Sequence, residues 1–87
     1  MILAKGDKVK LLEVIKSTYR TDDWKTGVYE VIDIRPAIGQ SANAKNPRMS
    51  YSFRKLKKSG EYTSFRNGYE TDEFDSMISE GKVEKLV

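Results

Sequence analysis

The segment Met49-Ser50-Tyr51-Ser52-Phe53-Arg54 alternates apolar and polar residues without a break. A period of two puts Met49, Tyr51 and Phe53 on one face and Ser50, Ser52 and Arg54 on the other, which is the pattern of a half-buried strand. Lys58-Ser59-Gly60-Glu61 follows as a turn signal, and Tyr62-Thr63-Ser64-Phe65-Arg66 returns in residues that favour extended backbone. The chain must therefore fold around a hairpin. Leu56 breaks the alternation and leaves the end of the first arm open, and Asn67-Gly68 reads as a second turn that closes the return arm.

The remaining elements follow from the same signals. A first strand is expected over 8–16, with Val9, Leu11 and Ile15 on one parity and Leu12 and Val14 on the other, so either both faces are partly covered or a bulge shifts the register. A polar, irregular loop comes next and carries Tyr19 and Trp24. The strongest β character lies over 28–34, and Pro36 stops that strand. Small and polar residues then form a long loop over 36–48, a length at which loops are uncommon in compact domains and often functional or disordered. One short helix is expected over 72–80. Thr71 is placed to cap it, and Asp72, Glu73 and Asp75 sit at the positive end of its dipole. Phe74, Met77 and Ile78 make its apolar stripe, and Gly81 ends it. A last strand covers 83–87. Neighbouring first and last strands would set Glu84 and Lys85 beside the lysines of the first and leave fewer open edges.

The order strand, long loop, strand, loop, strand, tight turn, strand, short helix, strand resembles that of the SH3-like small barrels over most of the chain. The resemblance implies a mainly β fold: a five-stranded small barrel with one short helix before the last strand, as a single domain over 1–87. The first long loop would match the RT loop, 36–48 the n-Src-type loop and Ser59-Gly60 the distal hairpin. The acidic–aromatic signature of peptide-binding SH3 domains is missing, and Trp24 lies inside the first loop, so binding of proline-rich peptides is not implied. The glycine pattern of KOW-type barrels is missing too. In size and style the chain also resembles small phage or prophage accessory proteins.

Composition narrows the chemistry. The 87 residues make one domain with a thin core. With no cysteine and no histidine, thiolate chemistry, the usual metal ligands and the usual general base near neutral pH are all missing. Asp22-Asp23 reads as a loop turn and Asp72-Glu73-Asp75 as helix capping, without calcium-loop spacing. No glycine-rich phosphate loop or serine elbow occurs. The expectation is a protein that is not an enzyme and uses no cofactor or metal. Met1-Ile2-Leu3-Ala4 is too short for the apolar core of a secretory signal, and no stretch would span a membrane, which predicts a cytoplasmic protein.

Charge is the most informative feature. Residues 1–44 carry seven basic and six acidic side chains, 45–68 seven basic and only Glu61, and 69–87 two basic and six acidic. A net charge of +3 therefore conceals a basic hairpin and an acidic helix. The hairpin predicts a face for nucleic acid or another phosphate-bearing ligand. Its candidate binding residues are Arg48 and Arg54 first, then Lys57, Lys58 and Arg66, with Lys45 on the adjacent loop. Tyr19, Trp24, Tyr51 and Tyr62 are the candidate aromatic contacts, with burial of at least one of the two loop aromatics expected. The bland reading weighs about as much: lysines that keep an edge strand soluble, and aromatics that fill the core. The alternative function is a protein-interaction module, such as a phage-encoded inhibitor of a host protein, docking through the acidic helix or a strand edge.

Overall fold

A computed structural model describes residues 1–16, 23–37 and 48–86. They form β1 (Lys8–Leu11), β2 (Gly27–Pro36), β3 (Met49–Leu56), β4 (Tyr62–Glu70), α1 (Thr71–Ser79) and β5 (Val83–Leu86). The five strands make one antiparallel sheet in the order β4-β3-β2-β1-β5. The fold is mainly β, with its helix directly before the last strand. The first and last strands are neighbours, and Lys10 lies opposite Glu84. Lys85 instead faces Val9 and reaches toward the Asp7 carboxylate at 3.8 Å.

The expected closed barrel is corrected to an open sheet, since among the described residues no ladder joins β4 to β5. The reason is the helix. β4 does not turn at Asn67-Gly68 as expected but continues to Glu70 and passes straight into α1. The helix then lies against β3, β4 and β5 and fills the gap between the two edges. Gly68 is a strand residue with Ser52 opposite, and a Cβ added there would meet the Ser50 hydroxyl at 3.2 Å.

Two irregularities explain the broken alternations. In β2 the register shifts between Val31 and Asp33. That bulge keeps Tyr29, Val31 and Ile34 all on the core side, although Ile34 has the other parity. Between β3 and β4 the register shifts after Arg54, with Arg66 opposite Arg54 but Tyr62 opposite Leu56. The Thr63 hydroxyl holds this second bulge by donating to the Lys55 carbonyl (3.0 Å) and accepting from the Phe65 N–H (3.2 Å). The first strand ends at Leu11, earlier than expected. Beyond it Leu12 and Val14 are exposed, and Ile15 rejoins the core through a bridge to Trp24.

Trp24 is the centre of the core. It is fully buried, with the rings of Tyr29, Phe53, Phe65, Tyr69 and Phe74 at centroid distances from 5.2 to 6.3 Å. Phe74 anchors the helix on this cluster and lies 4.6 Å from Phe53, while Met77 and Ile78 pack around the edge. Thr71 is not the cap. It is the first helical residue and is buried, and Glu70 precedes it with no side-chain capping bond. The other end is closed as the sequence indicates. Gly81 has φ of 81°, its N–H donates to the Ile78 carbonyl (3.1 Å), and the Lys82 N–H donates to that of Met77 (3.0 Å). This paired arrangement satisfies the last helical carbonyls and requires a left-handed residue.

Candidate functional site

The β3–β4 ladder is polarised. One end is the tight turn with Lys57 and Lys58. There the Lys57 N–H donates to the Glu61 carbonyl (2.8 Å), and both lysines are exposed. The other end runs into the acidic first turn of α1. Arg48 sits at the acidic end, with its Nη1 3.4 Å from the Glu70 carboxylate. About nine residues of extended chain, at roughly 3.3 Å each, separate Arg48 from Lys57, or about 30 Å. Arg48 therefore does not share a site with Lys57 and Lys58. Lys45 and Tyr19 lie outside the described residues.

The face of the sheet opposite the core carries a row of charges set by register: Lys8, Glu30, Arg54 and Arg66 stand side by side across β1, β2, β3 and β4. Arg54 is half-buried and already engaged. Its guanidinium lies over the Tyr62 ring at 4.5 Å and donates from Nη2 to the Thr63 carbonyl (2.9 Å), while Nε is buried without a partner among the described residues. Tyr62 is exposed, but its hydroxyl donates to Glu30 (2.6 Å), a bond that with some burial raises the pKa of the phenol. These contacts cover the ring face toward Arg54 and make Arg54 a brace for the bulge, not the leading free cation. Arg66 is exposed and forms no ion pair among the described residues.

Two of the candidate aromatic contacts are corrected outright. Trp24 and Tyr51 are both fully buried, so neither presents a ring to an outside base. Tyr51 is there because strand alternation points it inward. Its hydroxyl donates to Asp75 of the helix (2.7 Å) and accepts from the Leu3 N–H (3.2 Å), and burial, then the Asp75 hydrogen bond, pushes its pKa up to about 12.

What the structure does bring together is a groove of about 440 Å³ at the turn end, where β1, β2 and β3 meet. Val28 and Leu56 line it, and Lys10, Lys55, Lys57 and Lys58 surround it, with no carboxylate in its lining. Lys55 lies opposite Tyr29 on the core side, its ammonium 5.7 Å from the ring centroid. Lys10 arrives from β1, because the register sets it opposite Val28. Sequence reading missed Lys10 because nothing local distinguishes it from Lys8. Only the β1–β2 register assigns one to the groove and the other to Glu30. No helix is long and apolar enough to cross a membrane, and no metal-binding cluster of three carboxylates occurs, both among the described residues. Comparison with family models, curated proteins and solved structures yields no match.

Proposed function

We propose that the protein is a non-enzymatic binding module that takes nucleic acid, or another phosphate-bearing ligand, at the turn end of the β3–β4 hairpin. The observation that carries this reading is the convergence of Lys10, Lys55, Lys57 and Lys58 on one groove whose lining holds no carboxylate. Lysines that line one groove attract phosphates and release their counterions, and the nearest carboxylate by register is Glu84, opposite Lys10. Arg66 adds an exposed cation along the same hairpin. The strand order and the helix before the last strand support kinship with SH3-like small barrels, opened on the helix side. Exposed Leu12 and Val14 favour a second reading, a protein partner.

The test is titration of labelled single- and double-stranded oligonucleotides at low and moderate salt, with the parent and a Lys57→Ala/Lys58→Ala variant. The expected result is binding that weakens steeply with salt, and a shallower salt slope for the variant. A parent that binds neither form at low salt overturns this reading and leaves the protein-partner one.

A further inference from the structure

We infer that the groove takes single-stranded nucleic acid, with one unpaired base on the Val28–Leu56 floor and the flanking phosphates on Lys10, Lys57 and Lys58. This rests on the phosphate-binding reading above and makes a narrower claim.

A basic surface that only follows a duplex needs charge and no cavity, because the bases of a duplex stay stacked and paired inside it. This surface has a cavity. Its volume of about 440 Å³ falls within the roughly 300–1,000 Å³ of small-molecule sites, enough for a nucleotide unit. Its floor is aliphatic. Leu56 is 8% exposed and Val28 is half-buried, so an occupant meets apolar surface beneath and ammoniums at the rim. A nucleotide in a single strand has that same division, with a flat base whose faces shed water readily and a charged linkage on either side.

Gly27 lines the groove with φ of 144°, and a Cβ there would meet the Lys55 Cε at 2.9 Å, forcing the lysine to move. Of the candidate aromatic contacts among the described residues, Trp24 and Tyr51 are buried and Tyr62 is held by Arg54 and Glu30. The groove is therefore where the described surface offers an unpaired base apolar contact beside free cations.

The discriminating variant is Val28→Lys, which adds charge while obstructing the floor. Val28 is half-buried on the face away from the core, so a long side chain can extend to solvent. The probes are a short oligothymidylate, a duplex of equal length, thymidine monophosphate and an oligonucleotide carrying a fluorescent purine. For the parent, the single strand binds several-fold more tightly than the duplex, and the fluorescent purine changes emission on binding. Val28→Lys weakens the single strand several-fold by obstructing the aliphatic floor, while its duplex binding holds or rises. Lys10→Ala weakens the single strand, and Lys85→Ala, on the neighbouring strand but outside the groove, does not. Thermal melts of each variant establish that it is folded, and Lys10→Ala carries the test if Val28→Lys is not.

If the parent binds single strand and duplex equally, and Val28→Lys tightens both, the groove inference fails while the phosphate reading stands. If thymidine monophosphate binds as tightly as the oligothymidylate, the site takes a free nucleotide and the strand inference fails. If nothing binds at low salt, both fail together.

Discussion

The helix is the seal on the open side of the sheet, and Phe74→Ala tests that role. Phe74 is fully buried, and its ring meets those of Trp24, Tyr51, Phe53 and Tyr69 within about 6 Å. Tyr51, Phe53 and Tyr69 are held by the β3–β4 ladder, so the space left by the ring cannot close cheaply. That favours the full cost of a large-to-small core change, about 3–5 kcal/mol. A domain of 87 residues has a total stability of about 4–13 kcal/mol at typical values per residue. The variant should lose about a quarter of that or more, and at the low end be largely unfolded. The melting temperature should fall by roughly 12–40 °C, at ~4–8 °C per kcal/mol for a domain of this size. Phe74→Leu, which leaves a smaller void, should cost only about 1–2 kcal/mol. Urea unfolding followed by fluorescence of Trp24, the only tryptophan, reads both. Equal midpoints for parent and Phe74→Ala would mean that the helix is peripheral and the sheet is stable without it.

Further expectations concern the core, the termini and pH. Trp24→Phe should cost clearly less than Trp24→Ala, because both remove the indole N–H that is buried without a partner among the described residues but only alanine leaves the ring's space empty; equal urea midpoints for the two variants, followed by circular dichroism, would contradict this. Gly81→Ala should destabilise by about 1 kcal/mol through its φ of 81°, read as a lowered melting temperature, whereas an unchanged one would show that the helix end relaxes freely. Tyr29 and Tyr51 both have pKa values pushed up to about 12, in each case mainly by burial. A folded-state pKa above the unfolded value gives stability that is present below about pH 10 and lost as pH rises toward 12. Urea midpoints should therefore be flat to about pH 9 and fall above pH 10, and Tyr29→Phe with Tyr51→Phe should flatten that fall; a parent profile already flat to pH 12 would rule out the buried phenols as its source.

Local pattern carried the fold a long way. The alternation over 49–54 placed Tyr51 and Phe53 in the core and Arg54 on the opposite face, as found. The stripe of Phe74, Met77 and Ile78 and the stop at Gly81 were legible because helix period and left-handed backbone are properties of neighbouring residues. The end of β4 was not. Asn67-Gly68 has the composition of a turn, but Phe65 and Tyr69 both pack against Trp24, and keeping both rings there draws the backbone between them into the ladder. The long-range core outweighed the local preference. The candidate site suffered most, because Arg54 and Trp24 look available in sequence and are committed only by partners far along the chain or by the packing of the whole core.

Charge segregation acquires meaning only through the topology. In sequence, the basic stretch and the acidic helix are adjacent and would largely neutralise one another. The hairpin separates them. The turn at 57–61 and the helix start at Thr71 lie at opposite ends of β4, and nine residues of strand at roughly 3.3 Å each hold them about 30 Å apart. That is about three Debye lengths at ordinary salt, so the acidic helix does little to weaken the field at the lysine groove. Arg48, the basic residue nearest the helix, is paired with Glu70, while Lys57 and Lys58 at the far end make no ion pair among the described residues. The proposed phosphate-bearing ligand would consequently be drawn to one end and repelled from the other. The strand order adds Lys10 to the attractive end from the far side of β2, and this completes a cationic rim that the hairpin's own sequence does not contain.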